Sequence, residues 1–274
     1  MDLFTVNSDT CTQCGACVSS CPVGIIEIQK GNNAPSPVKG ADSACIVCGH
    51  CVAVCHEGAL SHKKMPVDLC PPFQDNLALK PAHVEHLLRS RRSIRAYKRE
   101  NVDKQTILKL IDIVHYAPSG SNGQPVKWLV IYDREKVRKI AETVIDWMKN
   151  TIEKHPPLAE KLYLHSLVAL WDSGLDVVCR EAPHILFVHA PKEKGGALYD
   201  SIIALSYLDI AAPSFELGTC WAGFVLLAAA YWPPLHKLIG LSDKEQIFGA
   251  MMLGYPKHKF YRLPLRNKAD IAWN

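Results

Sequence analysis

Eight of the eleven cysteines fall into two runs: Cys11, Cys14, Cys17 and Cys21, then Cys45, Cys48, Cys51 and Cys55. Each run has the spacing C-x2-C-x2-C-x3-C. The second repeats the first 34 residues later, with Gly15 falling on Gly49, Val18 on Val52 and Gly24 on Gly58. A repeat of this kind governs the reading of everything around it. Four thiolates in so short a stretch, twice over, are the ligand supply for two cubane iron–sulfur clusters, and short spacing lets three sulfurs reach one cubane from a single loop. Disulfides would suit a secreted chain, but Met1 leads into a polar stretch without a signal-peptide pattern. Zinc needs four ligands per site and uses wider pair spacing. Clusters that serve only as folding staples are also compatible with the spacing.

Other residue types offer further chemistry. Cys70 precedes Pro71 and Pro72 in a stretch read as a linker, while Cys179 and Cys220 lie in apolar surroundings and read as inert buried thiols. His50 and His56 sit beside cluster cysteines, where a ring N–H can tune a potential through a hydrogen bond to sulfur. Arg91, Arg92 and Arg95 concentrate guanidinium groups, which grip phosphate with paired donors; an ordinary solvated surface would read the same way. Residues 117–125 combine glycines, small hydroxyls and amides, which let backbone donors approach a flat ring closely or simply make a loop. No serine–histidine–acid set stands out. No G-x-G-x-x-G or Walker motif is present, which argues against a built-in dinucleotide fold.

The elements that must position these groups are visible in outline. A chain of 274 residues allows two domains, and half of it is apolar. The longest apolar run, residues 222–232, is too short to cross a bilayer, and no run of Lys or Arg argues for nucleic acid. The net charge of +4 hides an acidic first 62 residues and a basic remainder. The layout read here is residues 1–62 as one domain, 63–80 as a proline-bearing linker, and 81–274 as a second domain. In the latter, periodicity predicts helices from His83 (with Val84, Leu87 and Leu88 as its stripe), after Asp103, over 134–150, over 158–171 and over 196–217. It predicts strands at 128–132, 184–188 and 247–253. Helices dominate with few strands between them, which is α+β rather than strict βαβ alternation.

Residues 1–62 resemble bacterial-type ferredoxins with two [4Fe–4S] clusters. In that family the fourth cysteine of each run ligates the other cluster. The resemblance implies one cluster on Cys11, Cys14, Cys17 and Cys55 and the other on Cys45, Cys48, Cys51 and Cys21. Pro22 follows Cys21 as the family pattern asks, whereas His56 follows Cys55.

Residues 81–274 resemble the nitroreductase family, whose members hold FMN at a homodimer interface. Four segments carry the likeness. Arg91, Arg92, Ser93 and Arg95 match the turn that clamps the FMN phosphate. Pro118, Ser119, Gly120, Asn122 and Gln124 match a loop that reaches the flavin from the partner subunit. Trp221, Ala222 and Gly223 match the stretch lying against the isoalloxazine, with an N–H near Gly223 donating to N5. Arg262 and Arg266 follow the Gly254-Tyr255-Pro256 turn, where a late basic residue returns to the phosphate, Arg266 being the first choice. Phe215-Glu216 departs from the small step the family often shows there.

The resemblance implies an α+β flavin domain with a central antiparallel-type sheet flanked by helices. Together the two likenesses imply a homodimeric oxidoreductase, and eleven cysteines without a visible secretory signal point to a reducing, cytoplasmic interior. Electrons from a redox donor protein would pass through the clusters to FMN and on to a small organic acceptor such as a nitroaromatic, quinone or activated alkene. No dedicated catalytic acid or base is assigned. Direct reduction of FMN by NAD(P)H, and a non-catalytic electron carrier or redox sensor, are the other readings the residues leave open.

Overall fold

The structure is a computed structural model that describes residues 3–29 and 34–274. The chain divides into two compact units. One runs to Leu79 and takes in Gly120–Gly123; the other comprises Lys80–Ser119 and Gln124–Asn274.

The first unit is built from very short elements: β1 (Phe4–Val6), α1 (Ala16–Ser19), β2 (Ile26–Glu27), β3 (Ser36–Pro37), α2 (Ala41–Ala44), α3 (His50–Ala53) and β4 (Leu60–His62). Two antiparallel pairs, β1–β4 and β2–β3, frame it. Its core is small: Leu3, Phe4, Ile25, Ile26, Val52 and Leu60 pack with Cys17, and several other cysteines line the cluster. Residues beyond His62, read from sequence as linker, add to this unit. Met65 bridges back to His62, and Val67 and Cys70 pack on the core.

The second unit contains α4 (Pro81–Ser90), α5 (Lys104–Val114), β5 (Lys127–Ile131), α6 (Arg134–Lys154), α7 (Pro156–Lys161), α8 (Leu164–Asp172) and β6 (His184–Pro191). It continues with α9 (Ala197–Ala211), β7 (Gly218–Trp221), α10 (Gly223–Tyr231), α11 (Pro233–Ile239) and β8 (Glu245–Gly254). The sheet has the order β5-β6-β8-β7, and every neighbouring pair is antiparallel. Strand β6 is buried along nearly its whole length, because both faces are covered. Ile185 and Phe187 point into a core formed with α6, α10 and α11. Leu186 and Val188 point the other way, into a core with α5 and α9. Alternation in β6 thus feeds two cores at once, and each fully buried large apolar side chain contributes about 2–3 kcal/mol.

Local chemistry sets the element ends. Asp103 caps α5 by accepting from the Gln105 and Thr106 amides at 2.8 and 3.2 Å. The helix expected over 158–171 is broken into α7 and α8 by Tyr163, which takes a left-handed φ of 56°. The helix expected over 196–217 stops at Ala211, where Pro213 turns the chain into a 3₁₀ turn, and Glu216 adopts a φ of 59°. Within residues 222–232, an apolar run too short to cross a bilayer, residues 223–231 form α10. The apolar stripe expected from His83 is present on α4 but not buried; Leu88 is 52% exposed. Among the described residues, no helix is long and apolar enough to cross a membrane.

His184 closes the start of β6. Its Nε2 accepts from the Val102 amide at 2.9 Å, its Nδ1–H donates to the Tyr132 carbonyl at 3.0 Å, and its ring stacks on Tyr132. Burial, the largest cause, holds the imidazole neutral and lowers its pKa to about 4. The unfolded chain binds this proton near pH 6.5, whereas the folded one resists it. Stability of the second unit is therefore complete above pH 6.5 and falls by about 3 kcal/mol as pH drops towards 4. Thermal midpoints measured from pH 8 to 4 should show this slope, and His184→Gln should lose it while being less stable at pH 8.

Candidate functional site

In the first unit, two cavities carry the cysteines. One is lined by Cys11, Cys14, Cys17 and Cys55. The other is lined by Cys45, Cys48, Cys51 and Cys21. Each takes three sulfurs from one loop and the fourth from the other repeat. The loops are shaped by backbone that only some residues tolerate: Gly15 and Gly49 start α1 and α3 with φ of 73° and 75°. Gln13 and Val47, equivalent by the repeat, also have positive φ, which is uncommon for a β-branched residue such as Val47.

Backbone amides point at the sulfurs. The Ala59 N–H donates to Cys55 Sγ at 3.2 Å and the Val47 N–H to Cys45 Sγ at 3.4 Å. A hydrogen bond from the Ala16 backbone lowers the Cys14 pKa, whereas burial raises that of Cys17 and pushes the Cys51 thiol up to about 11. Among the described residues, no three His, Cys, Asp or Glu side chains form a group suited to one metal ion; the sulfurs instead line the two cavities. Cys70 is half-buried and donates to the Pro66 carbonyl at 3.4 Å.

His50 and His56 stand at the cavity walls, but both are exposed, and His56 pairs with Glu57 at 3.0 Å. The imidazole that meets a sulfur is His62, which the spacing of the cysteine runs does not single out. It is 4% exposed, its Nε2 lies 3.6 Å from Cys45 Sγ, and its Nδ1 accepts from the Lys64 amide at 3.1 Å. Gly120–Gly123 belong with this unit as well. The Asn122 amide donates to the carbonyls of Ile46 and Val47 at 3.2 and 2.8 Å.

In the second unit, three of the four segments picked out above meet along β7. The Ile94 amide donates to the Thr219 carbonyl at 2.8 Å. Tyr97 bridges to Pro256, with Lys98 and Lys257 amides donating on either side. Ile94 therefore occupies part of the β7 edge, which would otherwise offer unpaired backbone, while residues 96–98 pair with the stretch after β8. The approach is close: a Cβ on Gly218 would collide with Ile94, and one on Gly254 would come within 2.6 Å of Pro183.

Charged groups follow this backbone. Arg91 pairs with Asp209 of α9 at 3.1 Å, and Asp209 also accepts from the Thr219 hydroxyl. Arg92 folds onto the carbonyls of Arg91 and Arg89 at 3.0 and 3.1 Å. Arg95 places its charge beside Cys220 and Tyr97. Ser93 hydrogen-bonds to Cys220, whose thiol is nonetheless pushed up, chiefly by burial. The Tyr97 hydroxyl is buried and, among the described residues, has no partner.

Trp221 is partly exposed and Ala222 is buried. Gly223 opens α10 with no side-chain cap, and a Cβ there would meet nothing within 4 Å. The first-turn amides of α10 thus have no side-chain acceptor. Elsewhere in the unit, Pro118, Ser119 and Gln124 line a recess with Trp128 and Asp200, and the Ser119 hydroxyl accepts from the Gln124 amide at 3.0 Å. Arg262 and Arg266 lie in an exposed C-terminal segment without regular structure.

The sequence profile described as the nitroreductase family matches residues 88–255, more than half of the chain. The chain belongs to the nitroreductase family. A second profile, a 4Fe-4S dicluster domain, matches residues 4–56, so an N-terminal segment of that type is fused to an α+β nitroreductase-family domain. Membership makes the protein an oxidoreductase-type enzyme.

Among similar proteins is the "Putative NADH dehydrogenase/NAD(P)H nitroreductase" of Archaeoglobus fulgidus, 26% identical over 186 residues, which are 67% of this chain and 92% of that protein. The iodotyrosine deiodinase of Thermotoga neapolitana is 23% identical over 192 residues, covering 69% of this chain and 96% of that one. A nitroreductase with bound FMN from Desulfitobacterium hafniense has the same fold at 18% identity and a TM-score of 0.57, covering 71% of this chain and 99% of that one.

Proposed function

We propose that the protein is an iron–sulfur flavoprotein oxidoreductase: two [4Fe–4S] clusters in the first unit pass electrons to FMN in the second, and onward to a small organic acceptor such as a nitroaromatic, quinone or activated alkene. The observation that carries this reading is the pair of cavities, each lined by four cysteine sulfurs with one crossing from the other repeat. That donor set, with backbone N–H groups aimed at Cys45 and Cys55, suits thiolate-bound clusters. Loaded clusters supply single electrons, and a flavin supplies the junction to two-electron chemistry.

The chain's own residues would divide the work as follows. Arg92 and Arg95, with Arg262 and Arg266 from the C-terminal segment, supply cationic donors for the FMN phosphate. Arg91, fixed by Asp209, positions that turn. Trp221, Ala222 and Gly223 would seat the ring beside the first turn of α10, whose amides, without a side-chain cap, would favour negative charge there. Pro118, Ser119 and Gln124 would complete the flavin site from a second copy, whereas the Asn122 amide is engaged by the Ile46 and Val47 carbonyls of the first unit. No side chain here is assigned as acid or base; an acceptor would stack on the exposed ring. Free thiolates suit a reducing cytoplasm.

A second copy also explains surfaces that one chain leaves bare. Helix α9 is apolar nearly all round, the pattern of a buried helix, yet Leu198, Tyr199 and Ile202 are exposed on it and Leu108 and Ile113 are exposed on the adjoining α5. The C-terminal segment likewise exposes Phe260, Tyr261, Leu265 and Trp273. Together they form the homodimer interface of this reading.

The name of the Archaeoglobus relative favours one competing reading, in which NAD(P)H reduces FMN directly. Anaerobic rapid mixing separates the two. A reduced ferredoxin-type donor should bleach the cluster and flavin absorbance in turn, with NADH and NADPH slower by at least tenfold. Faster bleaching of the flavin by a nicotinamide, with clusters untouched, would reverse the assignment.

Crossed ligation has its own test. Cys21→Ser should disturb the cluster on Cys45, Cys48 and Cys51 and leave the other cluster's EPR signal intact, as read with iron and sulfide counts per chain. For the dimer, Ile202→Asp should shift the protein to monomer in light scattering and strip it of FMN.

A further inference from the structure

The repeat makes the two cysteine sites nearly equivalent in backbone, yet one side chain breaks the equivalence. At the 34-residue offset Cys45 falls on Cys11, Leu60 on Ile26 and His62 on Ile28. The isoleucine side chain has no polar atom, so no side chain at position 28 can donate to a sulfur.

His62 is held to do so. It ends β4, paired with Phe4 of β1. The next residue's amide donates to the Leu3 carbonyl, and the Met65 amide closes a turn on the His62 carbonyl, both at 2.9 Å. Its backbone is therefore fixed on both sides, and the residue is shielded from water at 4% exposure. The Lys64 amide donates to Nδ1, so Nδ1 carries a lone pair and the ring's proton sits on Nε2. That Nε2–H faces Cys45 Sγ at 3.6 Å. Cys45 thus receives a side-chain donor in addition to the Val47 amide.

We propose that His62 is a positioning residue that holds the cluster on Cys45, Cys48, Cys51 and Cys21 at a higher reduction potential than its repeat-related neighbour. The proposal rests on the iron–sulfur reading above. An N–H···S bond draws negative charge from the thiolate and so favours the reduced, more negative cluster, and hydrogen bonds to sulfur are among the factors that set cluster potentials. Burial removes the water that would otherwise compete for the sulfur. Each cluster takes up one electron in this process, with no bond made or broken and no proton transferred. Electrons entering the unit settle first on the His62 side, which gives two otherwise similar sites an order.

The test is an anaerobic redox titration of the full chain monitored by EPR, with iron and sulfide counted for every sample. Wild type should reduce in two separated one-electron waves. His62→Ile, which installs the residue of the other repeat, should move the upper wave to more negative potential by about a tenfold change in the reduction equilibrium, about 59 mV for one electron, and leave the lower wave in place. His62→Gln, which keeps a donor, should recover part of the shift. Full iron with both waves unmoved, or both moved alike, overturns the proposal.

A direct readout covers the case in which His62→Ile loses a cluster. Reduced wild-type protein labelled with ¹⁵N-histidine should show a nitrogen coupling in pulsed EPR that survives His50→Ala, since His50 is the other imidazole at that cavity. No coupling, or one lost with His50, likewise overturns it. Wild-type protein without iron and sulfide would instead refute the cluster reading itself.

Discussion

The first unit depends on the exchange of a fourth sulfur between its two halves. Its strands are two or three residues long and its helices a single turn, and its core comprises only a handful of apolar side chains. Elements of that size do not hold together by burial alone. With Cys21 at the cavity of the second loop and Cys55 at the cavity of the first, each inorganic centre would cross-link both repeats. Ligation and folding then become one event, as in other small metal-dependent domains. The strained backbone follows from the same demand. Val47 accepts a left-handed conformation where its amide reaches Cys45, a cost that persists only where surrounding bonds over-determine the geometry.

The second unit is built on the opposite principle. It has a sheet buried on both faces and large cores, so it needs no staple. What it does need is close approach. Gly218 and Gly254 admit Ile94, Tyr97 and Pro183 at distances that no Cβ would allow, and this brings residues 91–98 and the stretch after β8 against β7. Asp209 ties the same corner to α9 by accepting from Arg91 and Thr219. Segments far apart in sequence therefore share one corner of the fold, and the arginines and the uncapped start of α10 belong to it.

What was legible in the sequence was what repeats or is local. The cysteine spacing announced its chemistry, and the helical and alternating patterns located α5, α6, β5, β6 and β8 within a few residues. The positive φ of Tyr163 and of Glu216 was not legible because neither is glycine. The α10 segment was passed over because an all-apolar run has no periodicity to read. His62 was missed for another reason. Its contact spans 17 residues, and its neighbours in the chain carry no ligand spacing; His50 and His56, adjacent to cysteines, were the natural candidates and turned out to be exposed. Proximity in sequence is a poor guide to a second-sphere contact, because strand pairing, not chain position, decides which ring reaches a sulfur. The repeat itself offered the better signal: aligning its halves sets His62 against Ile28.

That mismatch bears on why a chain would keep a duplicated site at all. Two sites related by a repeat share ligand type and loop geometry, as the paired φ values of Gln13 and Val47 and of Gly15 and Gly49 show, and on those grounds alone they would hold an electron equally well. Equal sites store charge but give it no preferred direction. A single buried imidazole changes this without disturbing the ligands, because it acts on one thiolate through a hydrogen bond and adds no net charge while it is neutral. The Lys64 amide donating to Nδ1 leaves the ring proton on Nε2, facing the sulfur. The shared ligand pattern thus supplies capacity, and the one departure from it supplies order. In a protein read as delivering electrons singly to a carrier that spends them in pairs, order is what keeps the second electron available after the first has moved.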